Sequence, residues 1–256
     1  MKVVGLSPIH VLVAVEREAV VGTASLWLLP HSGYVAAVGT DSDHRGRGIA
    51  TELLERARAL SERNGRGWLA LDVEAENDTA IRLYRRRGYV EASRLDWYVG
   101  PTPARSPTAV SGVEEVARAR YPELTRWVDR SRAPLVREAL PSSERSLSHL
   151  ELLFGARDGR ARTWEVAHGG GTVGVVRGLY GPTTRTGVLV PVAGGPSFVG
   201  AAPALLAAGL EWLRTLGSIR IVVVLSNPAP DWDRTLAALG LPKVASSLLM
   251  IRSSRP

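Results

Sequence analysis

The first hundred residues show two spacings of apolar positions, one typical of strands and one typical of helices. Short apolar runs bounded by charged or glycine-containing turns predict strands, and apolar residues three and four positions apart predict helices. The resulting order is β-β-β-α-β-α-β, with strands at 9–15, 20–29, 34–40, 68–73 and 89–99 and helices at about 49–64 and 77–87. This order predicts an α/β chain, more narrowly an α+β fold with a mixed sheet.

Proline and serine accumulate at 101–108, so we place a domain boundary there and expect domains at 1–100 and 101–256. Beyond the boundary, helix-like segments come first, at 112–120, 122–130, 134–140 and 146–154. The order β-β-β-α-β-α-β then returns, with strands at 162–167, 172–180, 187–192, 219–225 and 243–251 and helices at about 201–216 and 231–239.

The two halves align without a gap when 152 is added to a residue number in the first half. Turn and packing residues coincide at this offset, including Gly22 with Gly174 and Gly88 with Gly240. We therefore predict two tandem copies of one fold. The helical segment 106–157 has no counterpart before Ile9, so the first copy is expected to lack an N-terminal strand and helix pair.

The most informative turn is RGRGIA at 45–50, between a strand and a helix. Its small residues allow a ligand to approach the backbone, and the free N–H groups of a helix start, beside two arginines, favour a phosphate. Neither the Gly-Lys-Ser/Thr of a P-loop nor the third glycine of a dinucleotide fingerprint is present. The turn therefore predicts a pyrophosphate site of another kind.

Composition narrows the partners. The net charge of the chain is +7, and its arginines are scattered along the sequence. This distribution does not favour a nucleic-acid partner over a polyanionic coenzyme. No apolar run is long enough for a membrane span, and the histidines show no metal-type spacing, so neither a membrane nor a metal is expected. The chain has no cysteine, which excludes thiol chemistry and is typical of the cytoplasm.

Two segments resemble the signatures of the GNAT superfamily of acyl-CoA N-acyltransferases. The first is the Arg/Gln-x-x-Gly-x-Gly/Ala motif, carried by Arg45, Gly48 and Ala50. The second is LDVEAENDTAIRLYRRRGY at 71–89, at the family's distance from the first. The resemblance implies an acetyl-CoA-dependent enzyme, arranged like the bacterial tandem acetyltransferases with a degenerate C-terminal copy.

The resemblance also assigns roles within the first copy. It implies that Tyr84 is the general acid and that Asp72, directly or through a water, is the base, with Glu74 or Glu76 as substitutes. The backbone of 38–40 would bind the pantetheine arm. The expected coenzyme-binding set is Val38, Gly39, Thr40, Arg45, Gly46, Arg47, Gly48, Ile49, Ala50, Thr51 and Asn77.

Each of these residues also has a purely structural interpretation. Tyr84 fits a core aromatic, Asp72 a paired acid of an edge strand, and Asn77 a plain helix N-cap. In the second copy the positions of Arg45, Arg47, Asn77 and Tyr84 hold Ser197, Val199, Ala229 and Leu236. We therefore expect one working site, in the first copy.

The expected function is acetyl transfer to a primary amine, on a small molecule or a peptide, by a monomer or homodimer. One alternative is a small-molecule acyltransferase of the mycothiol-synthase kind, which the short N-terminus of the first copy disfavours. Another is a coenzyme-binding or regulatory protein without turnover. A helix from 106–157, or the second copy, is expected to close the acceptor site.

Overall fold

The computed structural model of the chain describes residues 2–6, 9–104, 112–142, 160–168, 171–193, 198–228 and 231–254. Its residues divide into two compact units. Unit 1 contains residues 1–93, 138–140 and 247–256, and unit 2 contains residues 94–137 and 141–246. The division departs from the expected boundary at residue 100, because short parts of each half of the chain belong to the opposite unit.

The predicted elements of the first half are present. Its strands are β1 (Lys2–Leu6), β2 (Ile9–Glu16), β3 (Ala19–Leu28), β4 (Ser32–Thr40), β5 (Trp68–Glu74) and β6 (Val90–Pro101). Its helices are α1 (Ile49–Arg63) and α2 (Asp78–Arg86), with a short 3-10 helix at Ser42–His44. β4 and β5 are parallel, while β1 to β4 are successively antiparallel, so the predicted mixed sheet is confirmed.

The second half repeats this order after a helical insertion. The described strands are β7 (Val113–Glu115), β8 (Arg160–His168), β9 (Gly171–Gly181), β10 (Thr186–Ala193), β11 (Arg220–Ser226) and β12 (Lys243–Ser253). The described helices are α3 (Tyr121–Arg130), α4 (Pro134–Ala139), α5 (Phe198–Thr215) and α6 (Asp231–Ala238), with a 3-10 helix at Arg118–Arg120. The helix predicted at 146–154 lies outside the described residues.

The last strand of each half completes the sheet of the other unit. Residues 247–253 of β12 pair antiparallel with the whole of β5 in unit 1. Residues 95–101 of β6 pair antiparallel with the whole of β11 in unit 2. The strand orders are therefore β1-β2-β3-β4-β5-β12 in unit 1 and β7-β8-β9-β10-β11-β6 in unit 2, which are equivalent.

The predicted N-terminus of the first copy needs a correction. A strand is present there, because β1 pairs antiparallel with β2 over Lys2–Leu6. Its counterpart in unit 2 is β7, which pairs antiparallel with β8. What the first copy lacks, within the described residues, is the helices that separate β7 from β8. The segment KVVGL has only five residues, and so short a pattern does not predict a strand when its pairing partner is unknown.

The helix predicted at 112–120 is wrong. Val113–Glu115 is a strand and Arg118–Arg120 is a 3-10 helix. Val113 and Val116 have helical spacing, but Val113 pairs with Val166 of β8, and pairing with a distant strand outweighs so weak a local preference.

The core of unit 1 lies between the sheet and the helices α1 and α2. Leu26, Leu53, Leu71 and Tyr84 belong to it, and so does Met250 from the exchanged strand. A Cβ atom at position 22 would lie 2.6 Å from the Cγ2 atom of Ile49, so only glycine allows α1 to begin this close to β3. This close packing fixes the position of the turn that precedes α1.

Candidate active site

The central feature of unit 1 is an opening between the parallel strands β4 and β5. The two strands pair from Ser32 with Trp68 to Val35 with Leu71, and the pairing stops there although both strands continue. Immediately beyond, the register between β3 and β4 shifts, and Ala37 has a φ of 50°. Beyond this β-bulge β4 and β5 are no longer paired, and this opening between them lies beside residues 38–40, where the pantetheine arm was predicted.

The turn before α1 has an open backbone. Gly46 and Gly48 have φ values of 76° and 82°, in the left-handed region that glycine adopts without strain. No atom lies within 4 Å of a Cβ built at either glycine, and no side chain caps the helix at Gly48. The Oγ1 atom of Thr40, at the end of β4, is buried without a hydrogen-bond partner among the described residues. These unsatisfied groups fit a phosphate-bearing ligand.

An acidic residue holds one arginine of this turn. Glu16 at the end of β2 accepts hydrogen bonds from both terminal nitrogens of Arg47, at 3.0 and 2.7 Å. It also lies 3.1 Å from Nε2 of His44, whose Nδ1 is 2.8 Å from Asp41. Arg45 is exposed, and its Nε donates to the carbonyl of Thr40 at 3.4 Å. Arg45 is therefore the more available of the two predicted phosphate ligands.

Asp72 lies on β5 just beyond the last residue paired with β4. The hydroxyl of Tyr34, on β4, donates a hydrogen bond to Oδ2 of Asp72. The other oxygen, Oδ1, is buried and has no hydrogen-bond partner among the described residues. Burial raises the pKa of Asp72 to about 6, although the hydrogen bond from Tyr34 acts in the opposite direction. The carboxyl group of Asp72 thus has a hydrogen-bond partner at only one of its two oxygens, and its charge changes near pH 6.

Tyr84 lies in α2 and is 6% exposed. Its ring packs edge-on against Tyr89, with ring centroids 5.8 Å apart. Its hydroxyl makes no hydrogen bond within the described part of the chain, and burial raises its pKa above the ordinary value of tyrosine. The phenol is therefore protonated at neutral pH and able to donate a proton.

Asp72 and Tyr84 lie on opposite sides of β5. Side chains of a strand alternate between its two faces. Leu71 and Val73 pack in the same core as Tyr84, so Asp72 points to the other face of the sheet, together with Tyr34. The structure therefore does not place the two predicted catalytic residues side by side, and a reacting group would have to lie in the opening between β4 and β5 to meet both.

Asn77 is the N-cap of α2. Its side-chain oxygen accepts a hydrogen bond from the N–H of Ala80 at 3.1 Å. The interpretation as an N-cap therefore describes Asn77, and its predicted contact with a coenzyme stays a prediction.

Unit 2 differs from unit 1 at the corresponding places. β10 pairs with β9 in an unbroken register from Thr186 to Ala193, without the bulge of β4. Leu236, fully buried, replaces Tyr84, and Val224, also buried, replaces Asp72. Ser197 and Ala229 lie outside the described residues. Unit 2 thus keeps the scaffold without the acid and the phenol.

Tyr34 and Glu16 were not predicted as site residues. The tyrosine could have been found from the parallel pairing that a strand-helix-strand unit implies, which sets Tyr34 opposite Ala70 and two positions from Asp72. Glu16 gives no comparable signal, because its contact with Arg47 depends on where the β2–β3 hairpin ends.

Two structural observations bear on other kinds of site. Among the described residues, no group of three or more histidine, aspartate or glutamate side chains is arranged to hold a metal ion. In the same residues, no helix combines the length and the apolar character needed to cross a membrane.

A mixed sheet in which two parallel strands stop pairing, with an uncapped helix start beside them, agrees with the fold of the family that the sequence resembles. Residues 5–89 match the family model described as "Acetyltransferase (GNAT) family". Residues 5–89 therefore match this family's domain, and the chain as a whole shares the fold of tandem GNAT proteins.

Solved structures agree over the whole chain. A GCN5-related N-acetyltransferase from Sphaerobacter thermophilus superposes with a TM-score of 0.63 and 17% identity, covering 97% of this chain and 81% of the other. A tandem GNAT protein from the clavulanic acid biosynthesis pathway gives a TM-score of 0.59 at 17% identity, covering 97% and 83%. At this identity the similarity establishes the fold alone.

Curated relatives match a shorter part of the chain. "N-alpha-acetyltransferase MAK3" of Arabidopsis thaliana is 39% identical over 66 residues, which is 26% of this chain and 35% of that protein. "N-alpha-acetyltransferase 30" of Schizosaccharomyces pombe is 32% identical over 73 residues, which is 28% of this chain and 49% of that protein. The chain thus spans less than half the length of either relative.

Proposed function

We propose that this chain is an acetyl-CoA-dependent N-acetyltransferase with one working site, in unit 1. The observation that carries the proposal is the opening after Val35 and Leu71. An uncapped helix start follows β4 on one side, and on the other side, on β5, Asp72 has a buried Oδ1 atom without a hydrogen-bond partner among the described residues. The cysteine-free sequence is compatible with the cytoplasm, where we place the enzyme as a monomer or homodimer.

The coenzyme-binding residues would act through their backbone more than through their side chains. The backbone N–H groups of 46–48 and of the first turn of α1, which no side chain caps, suit the pyrophosphate, with Arg45 supplying positive charge. The backbone of 38–40, which β5 leaves unpaired, suits the pantetheine amides. When bound, acetyl-CoA supplies the activated acetyl group, and the protein supplies position and proton transfer.

An amine attacks a thioester carbonyl only when its nitrogen carries a free electron pair, so a base must take its proton. Asp72 takes that proton, directly or through a water. The new C–N bond forms as the C–S bond breaks, and the hydroxyl of Tyr84 protonates the departing sulfur. Because Asp72 and Tyr84 lie on opposite sides of the sheet, the amine would arrive on the face of Asp72 and the sulfur would leave on the face of Tyr84.

The acceptor site would be completed from the second half of the chain. Residues 138–140, at the end of α4, belong to unit 1, where Ala139 and Leu140 are buried. This supports the expectation that a helix from 106–157 closes the acceptor site. The names of the curated relatives favour a peptide α-amino group as the acceptor, and small-molecule amines are the second class to test.

The test combines coenzyme binding with an acceptor screen. We expect acetyl-CoA to raise the thermal midpoint of the protein and one acceptor class to release free CoA. The screen contains peptides with free N-termini, amino acids, polyamines, aminoglycosides and a sugar-linked cysteine. Release with the last compound alone identifies the mycothiol-synthase type, binding without any release identifies a coenzyme-binding protein, and no binding refutes the proposal.

A second prediction concerns the acid that holds Arg47. Glu16→Gln removes one partner of the bidentate pair, so Arg47 becomes available to the pyrophosphate. Because the pair is solvent-exposed, we expect the dissociation constant for CoA to fall by only roughly two- to fivefold in calorimetric titration, and less at high salt.

The matched control is Glu211→Gln in unit 2. Glu211 accepts two hydrogen bonds from Arg214, at 3.0 and 2.6 Å, and the substitution changes the net charge by the same amount. Unchanged affinity in this control and tighter binding in Glu16→Gln would assign the effect to Arg47. Weaker binding in Glu16→Gln would show that Glu16 instead orients Arg47 toward the coenzyme.

A further inference from the structure

The pair formed by Tyr34 and Asp72 has features that the proposed reaction does not by itself explain. Tyr34 is 2% exposed, and its hydroxyl donates to Oδ2 of Asp72 across two strands that have just stopped pairing. On the other flank of β5, Asp72 is in register with Leu249 of β12, which is 1% exposed and apolar. Of the two strands beside β5, only β4 therefore offers this carboxyl group a hydrogen bond.

The hydrogen bond fixes the orientation of the carboxyl group. A carboxylate can accept bonds at both oxygens, and a free one rotates about its last torsion angle. With Oδ2 held by Tyr34, Oδ1 can face only one direction, and Oδ1 is buried without a partner among the described residues. Such an orphaned acceptor costs free energy in the folded state, so its retention suggests that a donor occupies it during function.

We propose that Tyr34 is a positioning residue that holds Asp72 so that Oδ1 receives the N–H proton of the acceptor amine. This inference rests on the proposed function and deepens it, because it names what orients the base. The bound acceptor arrives as an ammonium group. One of its N–H bonds breaks, the proton moves to Oδ1 of the Asp72 carboxylate, and the electron pair stays on the neutral amine nitrogen for the attack. Tyr34 keeps its own proton throughout and does not touch the reacting atoms.

The hydroxyl of Tyr34 also sets the pH at which Asp72 carries charge. Burial raises the pKa of Asp72 to about 6, and the hydrogen bond from Tyr34 lowers it. On the strands beside Asp72, Glu74 of β5 is exposed, and β12 presents Leu249 and Ser247 on the face of Asp72. Arg252 of β12 is opposite Leu69, which packs in the core on the other face. Removing the hydroxyl therefore leaves burial unopposed, and the pKa of Asp72 rises further.

The test is the pH profile of kcat/KM for Tyr34→Phe. In the wild type, kcat/KM falls at low pH as Asp72 loses its charge and as the acceptor amine becomes protonated. Because the base must be a carboxylate, the acid limb that belongs to Asp72 lies near pH 6. In Tyr34→Phe we expect this limb to move up by about one pH unit. Activity near pH 6.5 then falls several-fold and recovers at higher pH, with CoA affinity unchanged.

The matched control is Tyr98→Phe. Tyr98, in unit 2, is also fully buried and also donates its hydroxyl to an aspartate, Asp233, at 2.5 Å. Its loss should lower thermal stability without moving the acid limb. A limb that moves equally in both variants, or activity that falls uniformly with pH in Tyr34→Phe, would show that Tyr34 has a structural role only.

A second measurement does not require turnover. Carbon-13 NMR of the carboxyl groups, with the signal of Asp72 assigned by its loss in Asp72→Asn, follows this titration directly. We expect a higher midpoint in Tyr34→Phe than in the wild type. An unmoved midpoint overturns the role of Tyr34 alone, whereas a wild-type protein that acetylates no acceptor overturns the proposed function and the role that rests on it.

Discussion

We expect a chain ended after Ser246 to lose acetyl-CoA binding, although it retains every predicted coenzyme-binding residue. The truncation removes the part of β12 that pairs with β5, residues 247–253. Without it, β5 would present an unpaired edge directly beside Asp72. An exposed apolar strand edge is also a site of aggregation.

The size of the effect follows from burial. Leu249, Met250 and Ile251 are each 1% exposed or less, and Met250 belongs to the same core as Leu53 and Tyr84. Truncating one such side chain to alanine typically costs about 2–5 kcal/mol. The net stability of a domain is only about 5–15 kcal/mol. The truncation removes all three side chains and the pairing of seven residues with β5, so the free energy lost exceeds the stability of unit 1.

The measurement is hydrogen exchange at the amides of β5, combined with the thermal shift produced by acetyl-CoA. Ending the chain after Ser254 is the control, because it leaves β12 intact. A milder pair of variants keeps the chain full-length: Met250→Asp places a charge in the core, whereas Val244→Asp places it on the same strand at a position that is 58% exposed. Normal coenzyme binding by the truncated chain would show that unit 1 is complete without β12.

The strand exchange explains why the domain boundaries were the least predictable part of the fold. Hydrophobic periodicity identified the strands and helices of the repeated order in both copies, but not the preceding strands β1 and β7. The same pattern does not say whether β6 pairs beside β5 or beside β11. Both copies offer an equivalent parallel strand, β5 and β11, and the exchange concerns contacts more than a hundred residues apart.

The candidate site shows the same division between local and distant information. The turn at 45–50 and Asn77 were located from local sequence, because helix starts have short signatures. The bond between Tyr34 and Asp72 joins residues 38 positions apart, and Glu16 and Arg47 are 31 apart. Sequence alone also did not reveal that Asp72 and Tyr84 face opposite sides of β5, which required knowing which residues of that strand enter the core.

We expect Tyr84→Phe to lower kcat by roughly a hundredfold or more while leaving the dissociation constant for acetyl-CoA nearly unchanged. The hydroxyl has no hydrogen-bond partner in the described residues, so phenylalanine fills the same space in the core without breaking a contact. The thiolate would then have to leave without a proton donor. Stopped-time assays of CoA release, beside calorimetric titration of acetyl-CoA, separate the two effects.

Tyr89→Phe is the matched control for this prediction. Tyr89 lies against Tyr84, and its hydroxyl is buried without a partner among the described residues. Removing a buried unsatisfied hydroxyl should leave turnover intact and stability equal or higher. If Tyr84→Phe behaved in the same way, the phenol of Tyr84 would be a core group like its neighbour, and the leucine at position 236 would no longer mark unit 2 as inactive. Full loss in Tyr84→Phe alone would instead connect the chemistry to the phenol of Tyr84, whose position holds Leu236 in unit 2.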